Sequence, residues 1–112
     1  MTTDPLAPIH PGEILREEFL VPLGMTPYAL AKACHVPRTR IERLVNERAP
    51  VTPDTAMRLA RYFSTTPEFW LGIQSRYDIE TARRLSGEEI ETIEPREVVN
   101  LKAPRIKATT SY

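Results

Sequence analysis

Three Thr-Pro pairs, Thr26-Pro27, Thr52-Pro53 and Thr66-Pro67, punctuate this chain of 112 residues. Each sets a hydroxyl able to accept from an unpaired helix amide directly before a proline, whose missing N–H has no intrahelical partner at the first helical position. Eleven prolines would otherwise argue against helices; placed like this, several of them mark where helices start. His10-Pro11 is a weaker version of the same signal. Asp54 and Glu68, second in their helices, add negative charge where the helix dipole is positive.

The apolar residues behind those starts recur at helical spacing and predict five helices, an all-α fold. The first, roughly 11 to 22, has Ile14, Leu15 and Phe19 inside and Glu13 and Glu17 outside, and ends near Pro22 and Gly24. The second, 27 to 34, turns Ala29, Leu30 and Ala33 inward. A very short connection at His35-Val36 leads to the third, roughly 38 to 46, with Ile41, Leu44 and Val45 in one stripe. The fourth, 53 to 63, buries Ala56, Leu59, Ala60 and Phe63, and the longest covers about 67 to 84. Past Leu85 the run SGEEIETIEPREVVNLKAPRIKATTSY has no sustained period and reads as an irregular tail. Ile90 and Ile93 allow a short helix there and Val98-Val99 a short strand, with Pro95 and Pro104 limiting both. The expected organisation is an N-terminal arm over 1–10, a helical domain over 11–84 and a C-terminal tail over 85–112.

A 41% hydrophobic content supports one domain with a modest core. Cys34 is the only cysteine, and with His10 and His35 the only histidines, no metal-ligand spacing occurs, so neither a metal nor a cofactor is expected. The start has no basic region followed by an apolar run, and no stretch approaches the roughly 18 apolar residues of a membrane span, which predicts a cytoplasmic protein. The 15 basic and 15 acidic residues cancel, yet they are sorted by segment. Residues 1–24 hold four acidic groups and one basic, residues 25–62 seven basic and three acidic, and residues 78–97 seven acidic against three arginines. A basic middle between acidic flanks suits a polyanion at one surface and a basic partner at another.

The basic middle is concentrated in CHVPRTRIERLVNERAP, with Arg38, Arg40, Arg43 and Arg48 inside eleven residues. Two short helices joined by a tight turn are the helix-turn-helix signature, whose second helix enters the DNA major groove. Here that second helix is the arginine-rich one. With its apolar stripe centred on Ile41, Thr39, Arg40, Arg43 and Asn46 lie opposite and Arg38 sits at the amino end. Arginine can pair bidentately with guanine, asparagine with adenine, and threonine with a thymine methyl or a phosphate. Base readout is therefore assigned to Arg38, Thr39, Arg40 and Arg43, and phosphate contact to Asn46, Arg48 and Thr26 at the amino end of the second helix.

The run HPGEILREEFL, the helix pair, and NERAPVTPDTAMRLARYFSTTPEFWLGIQSRYDIETAR follow one another in an order that resembles the HigA-type antitoxins, a branch of the phage-repressor-like (XRE) helix-turn-helix proteins. The resemblance covers roughly residues 9 to 84. It implies a dimer that represses its own operon at an inverted-repeat operator and neutralises a small, basic, RelE-like ribonuclease toxin, with no catalysis of its own. Three departures stand out. His35 occupies a turn position where glycine is usual, which predicts strain but a preserved turn. Pro37 replaces the usual capping Ser or Thr. An Arg–Glu pair that many phage repressors bury between the first and third helices is matched here by Leu20 and Val45, an apolar contact.

Phe69, Trp70, Ile73 and Tyr77 share one side of the last helix while Leu71, Ile79 and Ala82 lie on others, more apolar circumference than one small core covers. A second copy covering Phe69, Trp70, Ile73 and Tyr77 would set two recognition helices about one DNA turn, roughly 34 Å, apart. A basic toxin favours an acidic surface, either Glu13, Glu17 and Glu18 or the segment from Glu88 to Glu97. Two other readings stay open: a stand-alone repressor without a toxin, and a small hydrolase using Cys34 and His35, against which adjacent residues diverge on a helix end and no carboxylate orients the histidine.

Overall fold

The structure, a computed structural model, describes residues 7–98. Helix α1 opens at Pro11–Ile14, passes without a break through a π-wound segment, Leu15–Leu20, and ends in the turn Val21–Leu23. It is followed by α2 (Pro27–Cys34), α3 (Arg38–Val45), α4 (Pro53–Phe63) and α5 (Pro67–Glu91), and there is no strand among the described residues. In the π segment the Val21 amide donates to the carbonyl of Arg16 rather than that of Glu17. This wider winding sits directly before Pro22, whose ring and missing N–H do not suit an ordinary α-turn.

The Thr-Pro signals act as read. Thr26, Thr52 and Thr66 each lend Oγ1 to an amide of the first turn, of Ala29 at 3.0 Å, Thr55 at 3.4 Å and Phe69 at 3.1 Å. His10 does the same with Nδ1, accepting from the Gly12 amide at 2.8 Å. Caps of this kind stabilise a helix by about 1 kcal/mol each. Pro37 supplies no side-chain cap to α3. Helix ends use left-handed residues at Gly24, His35, Glu47 and Ser64, with φ between 58° and 62°. His35 thus holds the turn in the strained conformation expected of it, its amide reaching the carbonyls of Ala31 and Lys32.

Leu15, Leu30, Ile41, Leu44, Leu59 and Trp70 are the large fully buried side chains, contributed by all five helices. Phe19 meets Phe63 at 4.8 Å and Trp70 at 5.0 Å between ring centroids, so α5 is fastened to α1 and α4 through aromatic contacts. Trp70 Nε1 is satisfied by the Thr65 hydroxyl at 2.8 Å. Gln74, 8% exposed, accepts from the Val51 amide at 2.7 Å and donates to Asp78 at 2.9 Å, fixing the loop before α4 onto α5.

Two expectations need correction. The inner face of α2 is Leu30, Ala31 and Cys34, whereas Ala33 is exposed, because α2 packs on α3 and α4 along a line rotated by part of a turn. The last helix continues past 84 to Glu91, through the point where an irregular tail was expected to begin. Its final turns carry Leu85, 80% exposed, and Ile90, 51% exposed. Apolar periodicity records burial, and it fades where a helix leaves its core even though Leu85, Glu88, Glu89 and Glu91 still favour helix. The short helix foreseen around Ile90 is the end of α5, and residues 94–98 have no regular structure. Val99, and with it the Val98-Val99 strand, lies outside the described residues, as do residues 1–6 and 100–112.

Candidate nucleic-acid interface

The second and third helices form the expected pair, with α3 held from behind by Ile41, Leu44 and Val45, all at most 5% exposed. Its amino end receives no side-chain cap, but its carboxyl end is tied down twice. Arg16 of α1 donates Nη1 to the Val45 carbonyl and pairs with Glu47 at 3.2 Å through Nη2. The Arg48 amide donates to the Arg43 carbonyl at 2.8 Å across the left-handed Glu47. Gly12 of α1 lies so close to the carbonyl of Leu44 that a Cβ there would overlap it. Leu20 and Val45 are both buried in the common core, as the apolar substitution implied, but the polar link between α1 and the end of α3 has not vanished. It comes from Arg16, which sequence reasoning passed over because its partners are distant in the chain.

Arg38, Thr39, Arg40, Arg43, Asn46 and Arg48 are all exposed on the face of α3 away from the core or just beyond it, and Thr26 is exposed at the start of α2. They are not equivalent. Arg38 pairs with Glu42 at 3.2 Å and lies 5.9 Å above the ring of Tyr28, a cation over an aromatic face. Arg43 donates to the Arg48 carbonyl at 3.2 Å, bending toward the negative end of the helix dipole. Arg40 is engaged more firmly, in an ion pair with Asp54 of α4, and Asp54 is shared with Arg58 at 2.8 Å. Arg58 in turn donates Nη1 to the carbonyls of Cys34 at 2.9 Å and His35 at 3.3 Å, the last carbonyls before the turn. The Arg58 and then the Arg40 guanidinium hold the Asp54 carboxyl below the usual carboxylate range.

In the sequence Asp54 stands out only as a helix-dipole charge, and Arg58 only as one residue of the run that carries the family resemblance. Their four-residue spacing announces a pair on one face of a helix; that the pair reaches a third residue on α3 is a tertiary fact.

The structure corrects the surface expected for a second copy. Trp70 is 0% exposed and belongs to the core of the single chain, so it has no surface to offer. Tyr77 is half-buried with its ring against His10 at 4.8 Å, Ile73 is half-buried, and Phe69 keeps 42% of its surface. The apolar residues left over lie on the side of α5 turned from the core: Ile79, 53% exposed, with Ala82 and Ile90 one and three turns on. On α1, Glu17 and Glu18 are exposed and Glu13 is half-buried, and Glu17 is already paired with Arg16 at 2.9 Å. Glu88, Glu89, Glu91, Glu94 and Glu97 are exposed.

Cys34 is buried, and burial pushes its thiol up from its ordinary range, the opposite of what a nucleophile requires. His35 lies in the exposed, left-handed turn that ends α2. Among the described residues no three His, Cys, Asp or Glu side chains gather to hold a metal, and no helix is long and apolar enough to cross a membrane.

Residues 15–70 match the helix-turn-helix family model. The chain is 51% identical over 76 residues to the virulence-associated protein I of Dichelobacter nodosus, covering 68% of this chain and 70% of that one. It is 40% identical over 88 residues to antitoxin HigA-1 of Vibrio cholerae serotype O1, covering 79% and 83%. Among solved structures it is similar to the Pseudomonas aeruginosa antitoxin HigA with the higBA promoter, at a TM-score of 0.77 and 46% identity, covering 79% of this chain and 97% of that one.

Proposed function

The chain belongs to the HigA-type antitoxins of the helix-turn-helix family, and from that premise we propose that it is a non-catalytic antitoxin that represses its own operon as a dimer on an inverted-repeat operator and neutralises a small, basic, RelE-like ribonuclease encoded beside it. The observation that carries the DNA-binding part is the face of α3, where Arg38, Thr39, Arg40 and Arg43 stand exposed opposite the buried Ile41, Leu44 and Val45. These side chains read bases, while Thr26, Asn46 and Arg48 hold phosphates. The P. aeruginosa relative was solved with promoter DNA, which supports the same partner here.

Dimerisation uses α5. The sequence suggests Phe69, Trp70, Ile73 and Tyr77 as the surface; with Trp70 inside the core and Tyr77 against His10, the exposed Ile79, Ala82 and Ile90 extend the apolar area that a second copy covers. The acidic surfaces fit a basic toxin, and since Glu17 is neutralised by Arg16, the row from Glu88 to Glu97 carries more unpaired negative charge than Glu13, Glu17 and Glu18 do.

Coexpression tests both partners. Cells carrying the neighbouring small basic reading frame should grow only when this chain is present, and a reporter behind the upstream sequence should be repressed by it. Repression without a rescued neighbour makes the protein a stand-alone repressor. Reversing the charges of each acidic set should weaken toxin binding for one set only; no effect from either would remove electrostatics from toxin recognition.

A further inference from the structure

We infer that Asp54 is a specificity-determining residue for DNA recognition: by holding Arg40 against α4 it positions that arginine for base readout and withholds its charge from generic phosphate. The inference rests on the DNA-binding reading above.

Two helices meet at one carboxylate, and a third is tied to it through Arg58. Asp54 is second in α4, and its Oδ2 takes Nη1 of Arg40 from α3 and, at 2.8 Å, Nε of Arg58 from the next turn of α4. Arg58 spends Nη1 on the Cys34 and His35 carbonyls at 2.9 and 3.3 Å, at the end of α2. The carboxylate is therefore anchored to the turn between the two DNA-facing helices, and Arg40 is anchored to the carboxylate.

Among the arginine readers on α3, Arg40 is the one whose guanidinium is paired with a carboxylate of another helix. Arg38 pairs within its own helix with Glu42 and meets α2 through the ring face of Tyr28, 5.9 Å away, and Arg43 reaches the Arg48 carbonyl just past its helix. The side chain of Arg40 is still 42% exposed and that of Asp54 55% exposed, so the pair faces solvent beside the recognition face and is not a core link.

A long, free arginine finds any phosphate by swinging, and each phosphate it neutralises releases a counterion regardless of sequence. An arginine braced by a carboxylate has one edge committed and presents the other in a fixed direction, which suits the two acceptors of guanine and suits a mobile search for phosphate poorly. The carboxylate also repels phosphates directly. Both effects weaken binding to arbitrary DNA more than binding to a correct site.

The test uses the full chain and two duplexes of equal length, one from the sequence upstream of its own gene and one of mixed sequence, over a salt series. Asp54→Asn keeps the size of an exposed side chain and removes its charge. It should bind the mixed duplex about three- to tenfold more tightly at low salt, with a salt slope steeper by about one per subunit, and its preference for the upstream duplex should fall. In an Arg40→Gln background the same substitution should change both much less, keeping only the loss of direct repulsion, whereas a general effect of charge on the surface would be equal in the two backgrounds. Unchanged affinity and slope in Asp54→Asn, or an equal change in the Arg40→Gln background, would overturn the role of Asp54. If the wild type shows no preference for the upstream duplex, the DNA-binding reading itself falls, and this inference with it.

Discussion

Replacing Gly12 by alanine puts one methyl group where α1 touches the recognition helix. A Cβ built at Gly12 lies 2.9 Å from the carbonyl carbon of Leu44, closer still to its oxygen, and 3.1 Å from Nδ1 of His10. The first obstacle is backbone, near the end of α3 that Arg16 also grips, so it cannot rotate away. Forcing two packed elements apart by an added methyl costs about 1–3 kcal/mol. Displacing His10 endangers a cap of about 1 kcal/mol as well. Against this stands the higher helix propensity of alanine, at most about 1 kcal/mol. The clash wins, and Gly12→Ala should destabilise the domain by about 1–3 kcal/mol. A domain of this size loses roughly 4–8 °C in Tm per kcal/mol. The control is Gly87→Ala in α5, where the nearest atom is the flexible Arg83 Cγ at 3.5 Å and propensity alone should raise Tm. Thermal unfolding followed by circular dichroism, at one protein concentration because the Tm of the proposed dimer depends on it, reads both. A Gly12→Ala protein with unchanged or raised Tm would refute the close approach of α1 to α3.

Further outcomes follow from the same contacts. His10 is 6% exposed; burial lowers its pKa from the ordinary 6.5, opposed by Glu47 and Asp78 and helped by Arg16. Its Nδ1 must stay unprotonated to accept from Gly12, so its contribution is complete above about pH 6.5 and is lost as the pH falls through the lowered value. Urea unfolding between about pH 7.5 and 5.5 should show stability declining with acid, and His10→Asn, which caps without titrating in this range, should flatten that decline. Gln74→Leu should cost about 1–3 kcal/mol in the same assay because the Val51 amide loses its acceptor, and an unchanged midpoint would mean the amide finds another. Arg43→Ala should weaken binding to the upstream duplex by about 1–3 kcal/mol with folding intact; equal affinity, measured by titration, would remove Arg43 from readout.

Much of the architecture was legible because it rests on local signals. Thr26, Thr52 and Thr66 announced the starts of α2, α4 and α5, and Ile41, Leu44 and Val45 gave the inner face of α3 from spacing alone. What sequence reasoning missed is non-local or a matter of degree. Trp70 looked like surplus apolar surface because nothing local says that Phe19 and Phe63 close over it. The seven residues of α5 beyond 84 are unreadable by periodicity because none of them is buried. The arginine face was visible, but its division into a braced Arg40 and the more loosely held Arg38 and Arg43 depends on Asp54 and Arg58 of α4, brought beside α3 only by folding. Exposure alone therefore identified the face and not the work of each residue on it.

Nuclease protection of the sequence upstream of the gene tests the proposed dimeric repressor most directly. Two α3 helices related by a two-fold axis should protect an inverted repeat whose half-sites are centred about one helical turn, roughly 34 Å, apart, and Ile79→Glu at the proposed dimer face should weaken both half-sites together. Protection of a single half-site that survives Ile79→Glu, or a pattern no different from mixed-sequence DNA, would contradict it.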